Sequence, residues 1–116
     1  MSNNIKQKVI CQVPIYMLTS TWKGEIKKLP PNKVFSLIID YPVHKELTFK
    51  IKTGSKGLTF TKLLQKIGKV YETIYESEKY QQFIYGHDIY DLTLEDISVD
   101  MRNKIIRLGI GSWKEK

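Results

Sequence analysis

The sequence predicts an α+β domain in which one long amphipathic helix packs on a mostly antiparallel sheet of four or five strands. Three observations carry this. Residues 34–52 contain two runs that alternate apolar and polar side chains, the period of a half-buried strand. Phe60, Leu63, Leu64, Ile67, Val70, Tyr71, Ile74 and Tyr75 then recur at three- and four-residue spacing, the stripe of a helix seated on a core. A second pair of short apolar runs closes the chain between Leu92 and Ile110. A helix laid across a sheet buries both apolar faces at once.

The elements follow in order. Val9, Cys11, Val13, Ile15 and Met17 alternate as a strand. Pro14 has no N–H for a ladder, which predicts an edge or an irregularity there. Residues 20–33 read as a loop closed by Pro30-Pro31. Val34–Tyr41 places Phe35, Leu37, Ile39 and Tyr41 on one face, and Ile38 on the other suggests burial on both sides. Leu47, Phe49 and Ile51 alternate with Thr48, Lys50 and Lys52, so these two strands read as a hairpin with a longer connection. Thr59 is the expected N-cap of a helix of about 17 residues. Residues 78–91 are aperiodic and rich in tyrosine. Leu92 and Leu94 fall out of phase with Ile97 and Val99, which predicts a bulge at Glu95-Asp96. A turn over 100–103 leads to a last strand through Ile106, Leu108 and Ile110. The hairpin–helix–hairpin order is similar in pattern to a β-grasp core with an added N-terminal strand. The whole chain, 1–116, is expected to form a single domain, with 1–7 and 113–116 loose.

Composition is globular: 41% of the residues are apolar and 27% charged. The single cysteine excludes an intramolecular disulfide and fits a reducing compartment. No stretch approaches the ~20 apolar residues of a membrane-spanning helix. An intracellular, cytoplasmic protein is therefore expected, or a virion protein if the source is viral. The net charge of +7 invites a nucleic-acid reading. However, the cations are 17 lysines and only Arg102 and Arg107, while isoleucine is abundant and alanine absent. That bias is the one an AT-rich genome produces, and arginine, the better bidentate binder of phosphate, is scarce. The charge is also segregated. Residues 1–60 carry ten lysines against three acids, whereas 61–100 carry four against eight.

Catalytic and cofactor signatures are missing. There is no Walker A spacing, GxGxxG, HExxH or paired CxxC, and one cysteine with two histidines makes no ordinary zinc site. No metal and no cofactor are expected, and the chain leans away from enzyme function. The most site-like segment is Gly86–Asp91. There His87, Asp88 and Asp91 would supply a general base or a metal ligand set, or, more simply, the acceptors of a turn. Cys11 beside His44 or His87 is read as a small apolar residue before a thiol–imidazole pair. The acids Asp88, Asp91, Glu95, Asp96 and Asp100 lack the spacing of a calcium loop.

Aromatic residues point to interaction. Tyr80, Phe83, Tyr85 and Tyr90, with Trp22 and Trp113, are candidate anchors for a protein partner or a second copy. Lys50, Lys52 and Lys56, in a basic stretch over 23–56, are the candidates for nucleic acid. Residues 34–112 contain Asp40-Tyr41-Pro42-Val43, Leu47-Thr48-Phe49, Gly86-His87-Asp88-Ile89, Asp91-Leu92 and Leu94-Glu95. On these pieces the segment resembles a family of small α+β domains from large eukaryotic DNA viruses and related AT-rich genomes. The resemblance implies no activity, and marks Gly86–Glu95 as a signature of the domain. The expected function is a non-enzymatic interaction or structural module. The alternatives are a nucleic-acid accessory protein and a small-molecule or hydrolytic site at His87.

Overall fold

The computed structural model describes residues 6–15, 28–86 and 88–112. One main helix packs on a mixed five-stranded sheet. The strands are β1 (Lys6–Pro14), β3 (Val34–Ile39), β4 (Leu47–Lys52), β6 (Leu92–Asp100) and β7 (Ile105–Ser112), in the order β1-β6-β7-β3-β4. All neighbours are antiparallel except β3 and β7, the parallel pair. Two short strands, β2 (Lys28–Leu29) and β5 (Leu58–Thr59), pair separately. Helix α1 is Phe60–Glu76, followed by the short helix α2 (Glu78–Gln81) and a 3-10 turn at Ile89–Asp91.

Local chemistry accounts for most boundaries. The Thr59 hydroxyl accepts the Lys62 N–H at 3.2 Å, the N-cap expected from sequence. Phe60, Leu63, Leu64, Ile67, Tyr71 and Ile74 are buried beneath α1. They meet Phe35, Leu37, Ile39, Ile51, Leu94, Ile97, Val99 and Ile106 of the sheet in one core. β1 lies at an edge, and its pairing shifts between Ile10 and Val13, next to Pro14. The phase slip in β6 is also a bulge: Leu94 faces Ile110 and Asp96 faces Gly109, leaving Glu95 extra.

Three features differ from the sequence reading. β1 begins at Lys6, because Lys6, Gln7 and Lys8 pair with Asp100, Val99 and Ser98. Polar residues on an edge carry no apolar alternation by which to be seen. Lys28 and Leu29, inside the loop expected over 20–33, pair as β2 with Leu58 and Thr59 of β5. The tyrosine-rich connection is built rather than aperiodic: it holds α2, and Ile84 bridges to Val43. No helix among the described residues is long and apolar enough to cross a membrane.

Candidate functional site

The tyrosine-rich segment is held in place by the backbone of the β3–β4 connection. The His44 N–H donates to Phe83 C=O at 2.8 Å, and the Tyr85 N–H donates to Pro42 C=O at 2.9 Å. Beneath this seam the buried Tyr71 hydroxyl donates to Tyr41 C=O at 2.8 Å. Burial, and then the charge of Asp40, push the Tyr71 phenol far above its ordinary value, so it stays protonated as a donor.

The candidate anchors divide on this frame. Tyr80 and Phe83 are half-buried against the core. Tyr80 leans on Phe49 with ring centroids 5.7 Å apart, and the Lys79 and Lys45 ammonium groups sit 5.3 and 5.4 Å above the Tyr80 and Phe83 rings. They close the core at the β4 side. Tyr85 is 37% exposed and Tyr90 64% exposed. Tyr85 makes an edge contact with Tyr41 and lies 4.6 Å from the His44 ring. Trp22, Trp113 and His87 lie outside the described residues.

Asp88 caps the 3-10 turn Ile89–Asp91. Gly86 has φ +72°, a conformation that costs other residues strain, and open space surrounds it. The buried Asp91 carboxylate accepts the Asp88 N–H at 3.2 Å, and the Asp91 N–H donates to Asp88 C=O at 3.0 Å. Asp88 and Asp91 together form a reciprocal capping box, the Asp88 side chain facing the Asp91 N–H and the Asp91 carboxylate the Asp88 N–H. The other acids have separate placements. Asp100 accepts the N–H groups of Arg102 and Asn103. Asp96 and Glu95 lie over Gly109 and Gly111, where an added methyl would overlap their carboxylates. Among the described residues, no group of three His, Cys, Asp or Glu side chains could hold a metal ion.

Between α1 and the 3-10 turn lies an open cavity of about 240 Å³, walled by Glu72, Tyr75, Glu76, Ile89 and Tyr90. Carboxylates stand around it: Glu72, 4.0 Å from the Lys69 ammonium, and Glu76 line the cavity, and the charges of Asp88 and Asp91 add to burial in raising the Tyr75 phenol. A cavity with carboxylate and tyrosine walls suits a cation that can lie against a ring. Tyr90 is one of the candidate anchors read from the sequence. The glutamates are not, because on α1 they read as an ordinary solvated face.

The basic candidates lie elsewhere. Lys50 and Lys52 are exposed on the sheet face away from α1, where Lys50 Nζ donates to Ser36 Oγ at 3.2 Å. Lys56 lies in the loop before β5, and its carbonyl accepts from Lys28 Nζ. Lys50 pairs across to Ser36, which pairs to Ile105 beside Arg107, so Arg107 shares this outer face. A second open cavity, of about 260 Å³, is lined by Ser98, Val99, Asp100, Ile105 and Arg107.

Comparison with known proteins finds no matching family model, no curated relative and no similar solved structure.

Proposed function

We propose that the protein is a non-enzymatic interaction module that docks a protein partner at the acidic, tyrosine-walled cavity between α1 and the 3-10 turn. The observation that carries this is Tyr90, a ring left 64% exposed at the rim of a cavity containing Glu72 and Glu76. A lysine or arginine from the partner would enter the cavity, with its charge near the glutamates and its stem along the rings. Tyr85, held by main-chain bonds on one side, supports the reading as a second rigid anchor. The segregated charge makes a second copy of this chain one source of the basic group.

The test uses a short arginine-bearing peptide as probe, with light scattering of the free protein in parallel. Binding or self-association that is lost in Tyr90→Ala and in Glu72→Lys with Glu76→Lys, and weakened by salt, supports the reading. Binding indifferent to all three changes, or a strict monomer that ignores the probe, removes it.

A second reading is nucleic-acid binding on the outer sheet face. Lys50, Lys52 and Arg107 share that face, which favours phosphate contacts. No aromatic ring stands among Ser36, Ile38, Thr48, Ser98 and Ile105 there, so base stacking is not supported. An affinity for mixed RNA that falls steeply with salt would favour it. A β-grasp-like core is our reading of the architecture, supported by the partial order β6-β7-β3-β4 with its parallel centre and by α1 between the two hairpins.

A further inference from the structure

The two edges of the sheet are built differently. β1 carries Pro14 and an irregular register, both of which discourage another strand from adding to it. β4 pairs with β3 through six consecutive residues without a shift, and holds neither proline nor glycine. Among the described residues no strand lies beyond it.

The phase of the β3–β4 ladder settles which main-chain groups that edge presents. The Thr53 N–H donates to Lys33 C=O at 3.0 Å. Antiparallel pairs alternate between bonded and non-bonded. Ile51, Phe49 and Leu47 therefore bond to Phe35, Leu37 and Ile39, while the N–H and C=O groups of Thr48, Lys50 and Lys52 point away from the sheet. The side chains of these three residues are exposed on the outer face. On the inner side of the same edge, Phe49 is half-buried and touches the Tyr80 ring.

We infer that β4 is a strand-addition site for an extended partner segment alternating acidic and apolar residues. Main-chain groups of Thr48, Lys50 and Lys52 would bond to the added strand. Acidic side chains on its outer side would meet Lys50 and Lys52, and apolar ones on its inner side would lie against Phe49. The lysines select the occupant. They repel basic strands, and in a symmetric edge-to-edge pair they would face the same lysines of a second copy. This site is separate from the tyrosine-walled cavity and does not rest on it.

The test uses a capped peptide of about eight residues alternating glutamate and valine, a strand of ordinary length. Its binding is followed by amide chemical shifts and hydrogen exchange of the whole protein. The Thr48, Lys50 and Lys52 amides, which bond to no strand among the described residues, should shift and gain protection. N-methylation at the peptide's glutamates should abolish binding, because those residues bond to the edge. Lys50→Glu with Lys52→Glu should weaken the peptide by about tenfold or more and admit a lysine–valine peptide instead. Thr48→Pro keeps the charge and removes one outward N–H without breaking the ladder, and it too should weaken binding. The inference is overturned if the three amides gain no protection. It is equally overturned if the N-methylated peptide binds as well, which would mean charge attraction alone, or if RNA binds this face and the peptide does not.

Discussion

The two faces of the sheet follow opposite rules. Under α1, Leu37, Leu94, Ile97 and Ile106 are fully buried in one apolar core. The opposite face carries Ser36, Thr48, Lys50, Lys52, Asp96, Ser98, Asp100 and Arg107 at half-buried or exposed positions. Apolar residues interrupt it: Ile38 is 8% exposed between Thr48 and Arg107, Ile105 is half-buried and Val34 is exposed. The Arg107–Glu46 ion pair, 3.8 Å long, links β7 to the turn before β4, with β3 between them. The difference teaches where stability resides. One face buries apolar area at roughly 25 cal/mol per Å². The other leaves polar and charged side chains such as Thr48, Lys50, Lys52 and Arg107 exposed.

The sharpest way to break this comparison is to cut the inner face. Leu94→Ala removes a side chain with no exposure and leaves a cavity between β6 and α1. Denaturant unfolding should show a loss of about 2–5 kcal/mol. A loss below about 1 kcal/mol would mean the inner face is loosely packed and the contrast false.

Two aspartates five residues apart sharpen the comparison next. Asp91 is buried and satisfies the Asp88 N–H at the entry to β6, so Asp91→Ala should cost about 1–3 kcal/mol. Asp96 is half-buried beside Gly109 on the outer face, and Asp96→Ala should change stability by less than about 0.5 kcal/mol.

Tyr71 gives a smaller effect with a pH signature. Tyr71→Phe loses one hydrogen bond, about 1 kcal/mol near neutral pH. Above the ordinary tyrosine value of 10.0 the unfolded chain sheds the phenolic proton, while the buried ring keeps its own. The unfolded state then binds fewer protons, so stability falls as pH rises beyond 10, by up to about 1.4 kcal/mol per pH unit. A pH series of unfolding midpoints should show this decline weakened in Tyr71→Phe. Equal slopes in the two proteins would show that the phenol is not protected.

The smallest effect belongs to the outer face. Arg107→Ala breaks an ion pair whose side chains are each 55% exposed, and should shift stability by no more than about 0.5 kcal/mol. A larger loss in thermal unfolding would mean that the arginine stem covers Ile38 and that this face is also structural.

Much of the fold was legible because the relevant signals are local. Thr59 announces the start of α1, and the spacing from Phe60 to Ile74 gives its buried stripe. The slip between Leu94 and Ile97 exposes the bulge in β6. Of the candidate site, the sequence singled out only the aromatic residues. Tyr85 and Tyr90 stood out by residue type, but nothing local separated them from Tyr80 and Phe83. That distinction depends on which rings Phe49 and the core could cover.

The sequence by itself determined the α+β class, the helix and its cap, the edge character of the strand with Pro14, and the surplus of positive charge. Each follows from the period or chemistry of neighbouring residues. Tertiary structure decided the rest: the parallel pairing of β3 with β7, the main-chain seam between 42–44 and 83–85, and the meeting of Glu72 and Glu76 with Tyr90 across a cavity. Those contacts join residues distant in the chain, and partner choice between strands depends on how the whole sheet closes over its core.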